Sequence, residues 1–422
     1  MKLKYFLLFL SILFCRFSAS SQQTNKCATV SKNEIYLAKH SSERQSSENI
    51  ERKINDWIKQ NRNAQLSTTL LVPVVVHVLY KTPQQNISES QIKKQIEILN
   101  ADYSRKNADT AQTPIPFKSL AADIGIKFCL AGTDPLGNLT TGITRTLTTV
   151  DEIGNNEYYN SSNGGENIWN HNHYLNIWVC EIDATLNTLG FATLASTAAN
   201  AKTNDGVVID YRVFGTSTNT HYKYGRTATH EVGHYFDLKH PWGDDANLDG
   251  NCDLGECSGD DGIADTPQQC DCHYGVPNFP SLDFCTNNFP GTMFMDYMDY
   301  TDDAAMNMFT QEQKTHMWAA IMSTVRDSLF NSHGCEQIIT ENKLLIYPNP
   351  SNGEFSLQIN LVETQNLTIK IKNYLGQSIK EFDIANVMSN TYPVDLTSLA
   401  RGFYFIEANC QPKRLVKKIF IY

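Results

Sequence analysis

Alternating apolar and polar runs predict strands and helices along the first 335 residues of the chain. The run at 70–80 is apolar almost throughout, which is typical of a buried strand. A helix follows it, opened by a capping box of Ser88 and Gln91. Its apolar positions recur at helical spacing and are Ile92, Ile96, Leu99 and Tyr103. Strands at 126–131 and 174–182 complete a strand–helix–strand pattern, which predicts a mixed sheet with a right-handed crossover.

The second half of this region predicts a cleft and a loop-rich subdomain. One of the apolar runs at 189–192 and 205–211 should form an edge strand, a template for an extended substrate. Helices are predicted at 227–238 and 311–330. Between them, residues 241–292 are rich in Gly, Asp, Pro and Cys, which indicates loops.

Both ends of the chain differ in composition from the middle. The polar stretch 21–66 indicates a pro-segment with one helix near 49–60. After Cys335, short strands separated by turns predict a small antiparallel β-sandwich. The expected class is α+β, a mixed twisted sheet with an active-site helix and a loop-rich lower subdomain. The expected segments are a signal peptide (1–20), pro-segment (21–66), catalytic domain (67–335), linker (336–342) and sandwich (343–422).

The first twenty residues predict export. Lys2 and Lys4 precede an apolar stretch at 5–14, and small residues at 18–21 offer a cleavage region. Cys15 leaves a lipid-modified cysteine open as an alternative. No later stretch has the length of a membrane span, so a permanent span is not expected.

Charge excludes one class of partner. The net charge of −10 and the pI near 5.6 argue against nucleic acid, because no basic surface would dominate. In an exported chain, the five cysteines of the central loop favour disulfides over a second zinc site. Whether Cys129 and Cys180 pair is left open by the sequence.

The strongest chemical signal is H-E-x-x-H followed by a third histidine. His230 and His234 are four residues apart, so on a helix they face one metal ion together. Glu231 lies about a hundred degrees round the helix, where a general base for a bound water should sit. His240 completes three neutral imidazoles with one open position, which indicates a catalytic Zn²⁺ site.

The third ligand requires the chain to change direction near Asp237, because His240 is too far along one straight helix. Aspartate is among the few non-glycine residues that tolerate a left-handed backbone, so the turn is plausible. Asp237 could instead be the third ligand, since it shares a helix face with His234.

The long motif and a later Met-Asp-Tyr at Met298 resemble the metzincin clan of zinc endopeptidases. Within that clan the chain resembles the pappalysin family, in its bacterial ulilysin/mirolysin-like branch. The stretches that carry the resemblance follow the family's order and are 72–78, 174–180, 225–229, 262–267, 298–303 and 309–310.

The resemblance implies roles for several residues. His230, His234 and His240 would bind zinc, Glu231 would act as general base and acid, and Met298 would form a floor beneath the metal. Tyr300 would approach the metal or the oxyanion, although it could be only a turn residue. Relatives prefer Arg or Lys after the scissile bond, for which Asp302 or Asp303 could supply the acid.

The resemblance also concerns the cysteines. Relatives often have a cysteine where Ala305 stands, so one family disulfide should be missing, and Cys252–Cys285 is the pair expected to survive. The pairing of Cys257, Cys270 and Cys272 stays open.

An acidic loop suggests a second metal. Clustered carboxylates suit Ca²⁺, and the resemblance implies structural calcium here. The expected ligands are Asp260, Asp261, Asp265 and Thr266. A merely solvated loop is the alternative.

Cys27 is a lone thiol in the pro-segment. The resemblance suggests that it caps the metal in a zymogen, with activation by cleavage around Arg62; an incidental cysteine is the alternative. The C-terminal strands resemble the type IX secretion sorting domain of Bacteroidetes, through 347–355, 396–404 and 417–421. That match implies passage through the type IX machinery, with release or surface attachment.

These observations predict a secreted zinc endopeptidase that is made as a zymogen and acts on proteins or peptides. The first rival is an inactive peptide- or surface-binding protein on the same scaffold, against which Glu231 argues. A zinc amidase acting on cell-wall peptide is a third possibility, and a long edge strand beside the cleft would disfavour it.

Overall fold

The computed structural model describes most of the chain outside the N-terminus, in the ranges 26–61, 69–155, 157–182, 188–243, 257, 259–335, 342–411 and 414–422. The chain forms two compact units, Met1–Cys335 and Glu336–Tyr422. The predicted signal peptide, Cys15 and most of the predicted linker lie outside the described residues. Among the described helices, none has the length and apolar character needed to cross a membrane.

A six-stranded sheet forms the centre of the first unit. Its strands are β1 Leu70–Tyr80, β2 Ile126–Leu130, β3 Ile143–Leu147, β4 Leu175–Cys180, β5 Gly190–Ala192 and β6 Val207–Asp210. The order is β2-β1-β4-β6-β5, and β3 pairs with the second half of β1. All pairs are parallel except β5 with β6, so the sheet is mixed as predicted. The short antiparallel strand β5 forms one edge.

Helix α3, Glu89–Tyr103, connects β1 to β2 and buries the predicted apolar face. Its expected capping box is only half formed. Ser88 accepts a hydrogen bond from the Gln91 amide, but the Gln91 side chain donates to the Phe214 carbonyl instead. Gln91 reaches a distant loop, a contact that local sequence does not reveal.

A complete capping box opens helix α5, Gln311–Ser323, where Thr310 and Gln313 satisfy each other's amides. The predicted helix 311–330 is shorter than expected, because Val325–Asn331 winds as a 3₁₀ helix. The β-region backbone of Thr324 separates the two elements.

The pro-segment holds two helices rather than the one predicted, α1 Thr29–Lys39 and α2 Ser41–Gln60. Helix α1 is polar and buries only Thr29 and Leu37, so it has little amphipathic signal. Helix α2 packs Ile54 in a small cluster with Ala195 and two alanines of α5. Tertiary contacts therefore define this region more than local pattern does.

Disulfides connect parts of the first unit in pairings that the spacing of the cysteines did not reveal. Cys129 on β2 is bonded to Cys335, 206 residues away. The expected Cys252–Cys285 pair is wrong, because Cys285 is bonded to Cys257, with Cα atoms 5.6 Å apart. Cys180 is free and buried.

The second unit is a curled five-stranded antiparallel sheet around its own apolar core. Its strands are β7 Lys343–Tyr347, β8 Glu354–Asn373, β9 Ser378–Asp395, β10 Gly402–Asn409 and β11 Leu415–Ile421. The first part of β8 pairs with β7 and its last part with β10, so the sheet turns around its core. Short strands separated by turns were expected, but β8 continues through residues 360–365 with a register shift instead of a turn.

Candidate metal centre and cleft

Helix α4, Arg226–Tyr235, is completely buried and carries the first two histidines. It is shorter than the predicted 227–238. His230 and His234 lie one turn apart on the same face, and their Nε2 atoms are 3.1 Å apart.

A chain reversal after α4 brings the third histidine back. Asp237 has a left-handed backbone with φ +72°, and the Leu238 amide donates to the Gly233 carbonyl at 3.1 Å. His240 Nε2 consequently lies 3.0 Å from His234 Nε2 and 3.3 Å from His230 Nε2. The Asp237 carboxylate does not join this group, because it accepts from the Ser196 amide at 2.8 Å. The structure therefore does not favour Asp237 as a ligand.

The histidine contacts suit a zinc ion. His230 Nδ1 lies 2.8 Å from the Tyr297 carbonyl and His234 Nδ1 lies 2.6 Å from the Leu238 carbonyl. A carbonyl only accepts, so each Nδ1 carries the proton and each Nε2 offers a lone pair. A tetrahedral ion with Zn–N bonds of about 2.05 Å would hold its nitrogens about 3.3 Å apart. Burial, followed by the charge of His234, holds the pKa of His230 well below its ordinary value, which keeps it neutral.

Cys27 lies beside the three histidines. Its Sγ and one nitrogen from each of His230, His234 and His240 all lie within 4.8 Å of one another. No other group of His, Cys, Asp or Glu donors in the described part of the chain converges in this way. Burial raises the pKa of the Cys27 thiol well above its ordinary value, and Glu231 adds to the shift.

Glu231 is buried next to this group. Its Oε2 accepts from the Cys27 thiol at 3.3 Å and from the Thr29 hydroxyl at 3.0 Å. Burial raises the pKa of Glu231 to about 8, although both contacts oppose the shift. Gly190 on β5 allows this close approach, because a Cβ there would lie 2.9 Å from the Glu231 Cγ.

Met298 and Tyr300 both lie close to the three histidines. Met298 is fully buried, and a Cβ on Gly233 would lie 2.4 Å from its sulfur, so this glycine lets Met298 pack against α4. The ring centroid of Tyr300 is 5.0 Å from that of His240. The Tyr300 hydroxyl donates to the Cys27 carbonyl at 3.3 Å.

Residues 26–28, in the predicted pro-segment, reach this site and pair with β5 through an isolated bridge. The Ala28 amide donates to the Gly190 carbonyl and the Leu189 amide to the Lys26 carbonyl, each at 3.0 Å. The pairing is parallel to β5, the edge strand expected beside the cleft. Residues 26–28 therefore occupy backbone groups on the edge of the sheet at Leu189 and Gly190.

Lys26 is fully buried in a pocket beside the group formed by Cys27 and the three histidines. Its ammonium donates to the Met306 sulfur at 3.1 Å and lies 5.4 Å from the Tyr222 ring centroid. Burial lowers the pKa of Lys26, and Asp303 is the acid that opposes this most. Asp302, by contrast, hydrogen-bonds to the exposed His221.

The acidic loop arranges its side chains differently. Asp261 accepts from the Thr266 hydroxyl and the Ile263 amide, and Asp260 accepts from the Gly262 amide. Asp265 accepts from the Thr310 hydroxyl and the Glu312 amide at the start of α5. Burial raises the pKa of Asp261 to about 7. The four earlier acids of this loop, Asp244, Asp245, Asp249 and Asp253, lie outside the described residues.

Sequence reasoning missed four residues of this site, Lys26, Thr29, Gly190 and Trp242. Lys26 and Thr29 flank Cys27 in the chain, but their partners Asp303 and Glu231 are more than two hundred residues away. Gly190 and Trp242, whose ring stacks on His240 at 4.6 Å, became visible only through long-range packing.

The mixed sheet, the helix α4 with its return to His240, and the buried Met298 define the fold of a metzincin metalloprotease. Comparison with known proteins narrows this class. The sequence model of a peptidase family described as pregnancy-associated plasma protein-A matches residues 158–322, and that of a secretion system C-terminal sorting domain matches residues 345–422.

Solved structures agree. Mature mirolysin of Tannerella forsythia in complex with a cleaved peptide is 48% identical, covering 62% of this chain and 96% of that chain, with a TM-score of 0.57. A promirolysin mutant of the same organism is 42% identical, covering 72% of this chain and 97% of that chain, with a TM-score of 0.62. The chain belongs to the pappalysin family of metalloproteases.

Curated relatives are more distant. An extracellular metalloprotease of Podospora anserina is 30% identical over 210 residues, covering 47% of this chain and 61% of the relative. One of Colletotrichum graminicola is 35% identical over 130 residues, covering 31% of this chain and 42% of the relative. The chain thus spans less than two thirds of these two proteins. The sorting domain and the extracellular relatives support secretion or cell-surface attachment in a Bacteroidetes-type bacterium.

Proposed function

We propose that this protein is a zinc-dependent endopeptidase, exported as a zymogen, with His230, His234 and His240 as metal ligands. The observation that carries the proposal is the convergence of three imidazole nitrogens within 3.3 Å of one another, beside the buried Glu231. Bound zinc would supply Lewis-acid activation of a water and of the peptide carbonyl.

Glu231 then acts as the proton carrier. It takes the proton from the attacking water and delivers it to the nitrogen of the departing amine. The raised pKa of this buried carboxyl suits a group that must both accept and return a proton near neutral pH. Met298 supports α4 from below and takes no part in the chemistry.

An extended substrate would pair with β5, as residues 26–28 of the pro-segment do. Tyr300 donates to a pro-segment carbonyl next to the metal group, and it would donate equally to the substrate carbonyl as negative charge develops there. The edge strand and the tyrosine together favour protein and peptide substrates over other amides.

We further propose a preference for Arg or Lys after the scissile bond. The buried Lys26 supports this, because its ammonium occupies a pocket formed by Tyr222, Met306 and Asp303. Asp303 is fully buried, so its carboxylate would discriminate strongly for a cation. Of the two acids considered, Asp303 rather than Asp302 supplies the charge.

Latency would have two components. Cys27 takes the position of a fourth donor to the metal, and Thr29 binds the carboxylate that must serve as base. Removal of the pro-segment, by cleavage around Arg62, would release both. Calcium at Asp260, Asp261, Asp265 and Thr266 is a separate proposal, supported by the raised pKa of Asp261, which a bound cation would reverse.

Export would follow the type IX route, with the machinery recognising the C-terminal unit. The match of residues 345–422 to a sorting domain supports this. Removal of that unit after passage would leave a soluble enzyme, and retention would leave it at the cell surface.

The deciding experiment compares Glu231→Ala with wild type on casein after the pro-segment has been removed. Loss of the base should lower activity by about a thousandfold while zinc content stays unchanged. Glu97→Ala is the matched control, since Glu97 is exposed on α3. Equal cleavage by Glu231→Ala and wild type would contradict the mechanism, and no cleavage by either protein would favour a peptide-binding protein.

A further inference from the structure

The turn that brings His240 to the other two histidines contains Asp237 in a backbone conformation that is unfavourable for a residue with a Cβ. Asp237 has φ +72°, a backbone region that glycine enters freely and that side chains with a Cβ enter at a cost of roughly 1 kcal/mol. An aspartate at this position should therefore do something that glycine cannot.

The Asp237 side chain connects three segments of the chain. It is 4% exposed, and its Oδ1 accepts from the Ser196 amide at 2.8 Å, four residues beyond the end of β5. Its Oδ2 lies 3.7 Å from His316 Nε2 on α5, an ion-pair distance too long for a hydrogen bond. Arg326 is the further cation that acts on this carboxylate.

These contacts hold the turn that leads to His240, the one of the three histidines that does not lie on α4. His230 and His234 are placed by helical geometry, whereas His240 lies beyond the turn, so its position depends on the geometry of that turn. We propose that Asp237 is a positioning residue, which locks the turn through Ser196 and His316 so that His240 meets the other two histidines. This inference rests on the proposed zinc site.

The proposal predicts that Asp237→Gly weakens zinc binding, whereas relief of backbone strain alone would not weaken it. If Asp237 merely tolerates its φ, glycine should relieve strain and leave zinc affinity equal or better. If the carboxylate holds the turn, glycine should free it. Zinc affinity should then fall about tenfold, as for other groups that orient metal ligands.

The test uses the full chain and measures zinc affinity by competition with a chromogenic chelator. Asp237→Gly should weaken zinc binding about tenfold and, after pro-segment removal, lower kcat more than it changes KM. Asp237→Asn keeps an acceptor for Ser196 and tolerates the left-handed backbone, so it should stay within about threefold of wild type. His316→Ala should fall between the two, and it leaves the turn residue itself unchanged.

The outcomes separate the two proposals. If wild type binds zinc but cleaves no casein, the proposed function fails, while the zinc affinities still decide the role of Asp237. If wild type is active and Asp237→Gly binds zinc as tightly as wild type, Asp237 has no positioning role. Thermal unfolding of each variant identifies any that fails to fold, in which case His316→Ala alone decides: unchanged zinc affinity overturns the proposal.

Discussion

The segment from α4 to His240 and the acidic loop 259–272 are both rich in metal-binding side chains, yet they use them differently. In the first, the Nε2 atoms of His230, His234 and His240 lie 3.0, 3.1 and 3.3 Å from one another. The Nδ1 atoms of His230 and His234 face backbone carbonyls. In the second, each carboxylate of Asp260, Asp261 and Asp265 accepts from nearby amides and hydroxyls.

The type and density of residues therefore do not make a metal site; convergence of several donor atoms does. Asp residues in loops readily bind their own backbone, because a short carboxylate reaches the amide two residues on. His230 and His234 instead direct Nδ1 to backbone carbonyls, while their Nε2 atoms lie 3.1 Å apart. Single substitutions in each of the two regions test this comparison.

The largest effect should come from the histidine that the turn supplies. His240→Ala removes one of three ligands, so zinc affinity should fall by at least about a hundredfold, beyond the effect of changing an orienting group. Asp260→Ala, in the acidic loop, should leave zinc affinity unchanged. Chelator competition and metal content measure both. Similar zinc binding by His240→Ala and wild type would remove the third ligand from the proposal.

A large effect is also expected at the buried carboxylate near Lys26. Asp303→Asn should lower kcat/KM for peptides with Arg or Lys after the scissile bond by about 10- to 100-fold, since a buried charge partner is lost. Peptides with a neutral residue there should be affected little. Asp302→Asn is the matched control. An equal loss for basic and neutral peptides would show a structural role for Asp303 instead.

A smaller effect should appear in latency. Thr29→Val keeps the side-chain shape and removes the hydroxyl that donates to Glu231, so residual activity of the uncleaved chain should rise about tenfold. Thr29→Ser keeps the hydroxyl and should resemble wild type. The measurement is peptide hydrolysis before any pro-segment cleavage. Identical activity of the Val and Ser variants would assign latency to Cys27 alone.

The smallest effect concerns stability of the acidic loop in calcium-free buffer. Asp261 has a folded-state pKa of about 7, above its ordinary value of 3.8, so its ionisation opposes folding as the pH rises through this range. Asp261→Asn should therefore match wild type near pH 4 and exceed it at pH 8, by on the order of 1–2 kcal/mol.

Thermal unfolding at the two pH values measures this difference. Added Ca²⁺ at pH 8 should stabilise wild type and not the variant if the loop binds calcium, because the cation would compensate the buried charge. No response of wild type to Ca²⁺ would leave Asp261 as a residue of the protein's own hydrogen-bond network.

Much of the fold was predictable because it follows local periodicity. The buried strand β1, the apolar face of α3 and the mixed sheet follow from apolar spacing alone. Helix α1, the helix of the predicted pro-segment that was not expected, was not predictable, because it buries only Thr29 and Leu37. The short strands expected in the C-terminal unit were not confirmed at β8, which continues through residues 360–365 with a register shift.

Local sequence patterns were sufficient to assign the family, the sorting unit and the spacing of His230, Glu231 and His234, since helical geometry relates residues four apart. Tertiary structure alone decided that Cys285 pairs with Cys257, that Lys26 enters the pocket of Asp303, and that Thr29 binds Glu231. The physical reason is the range of the contacts. Each of the last two closes a loop of more than two hundred residues, and no local pattern records where such a loop closes.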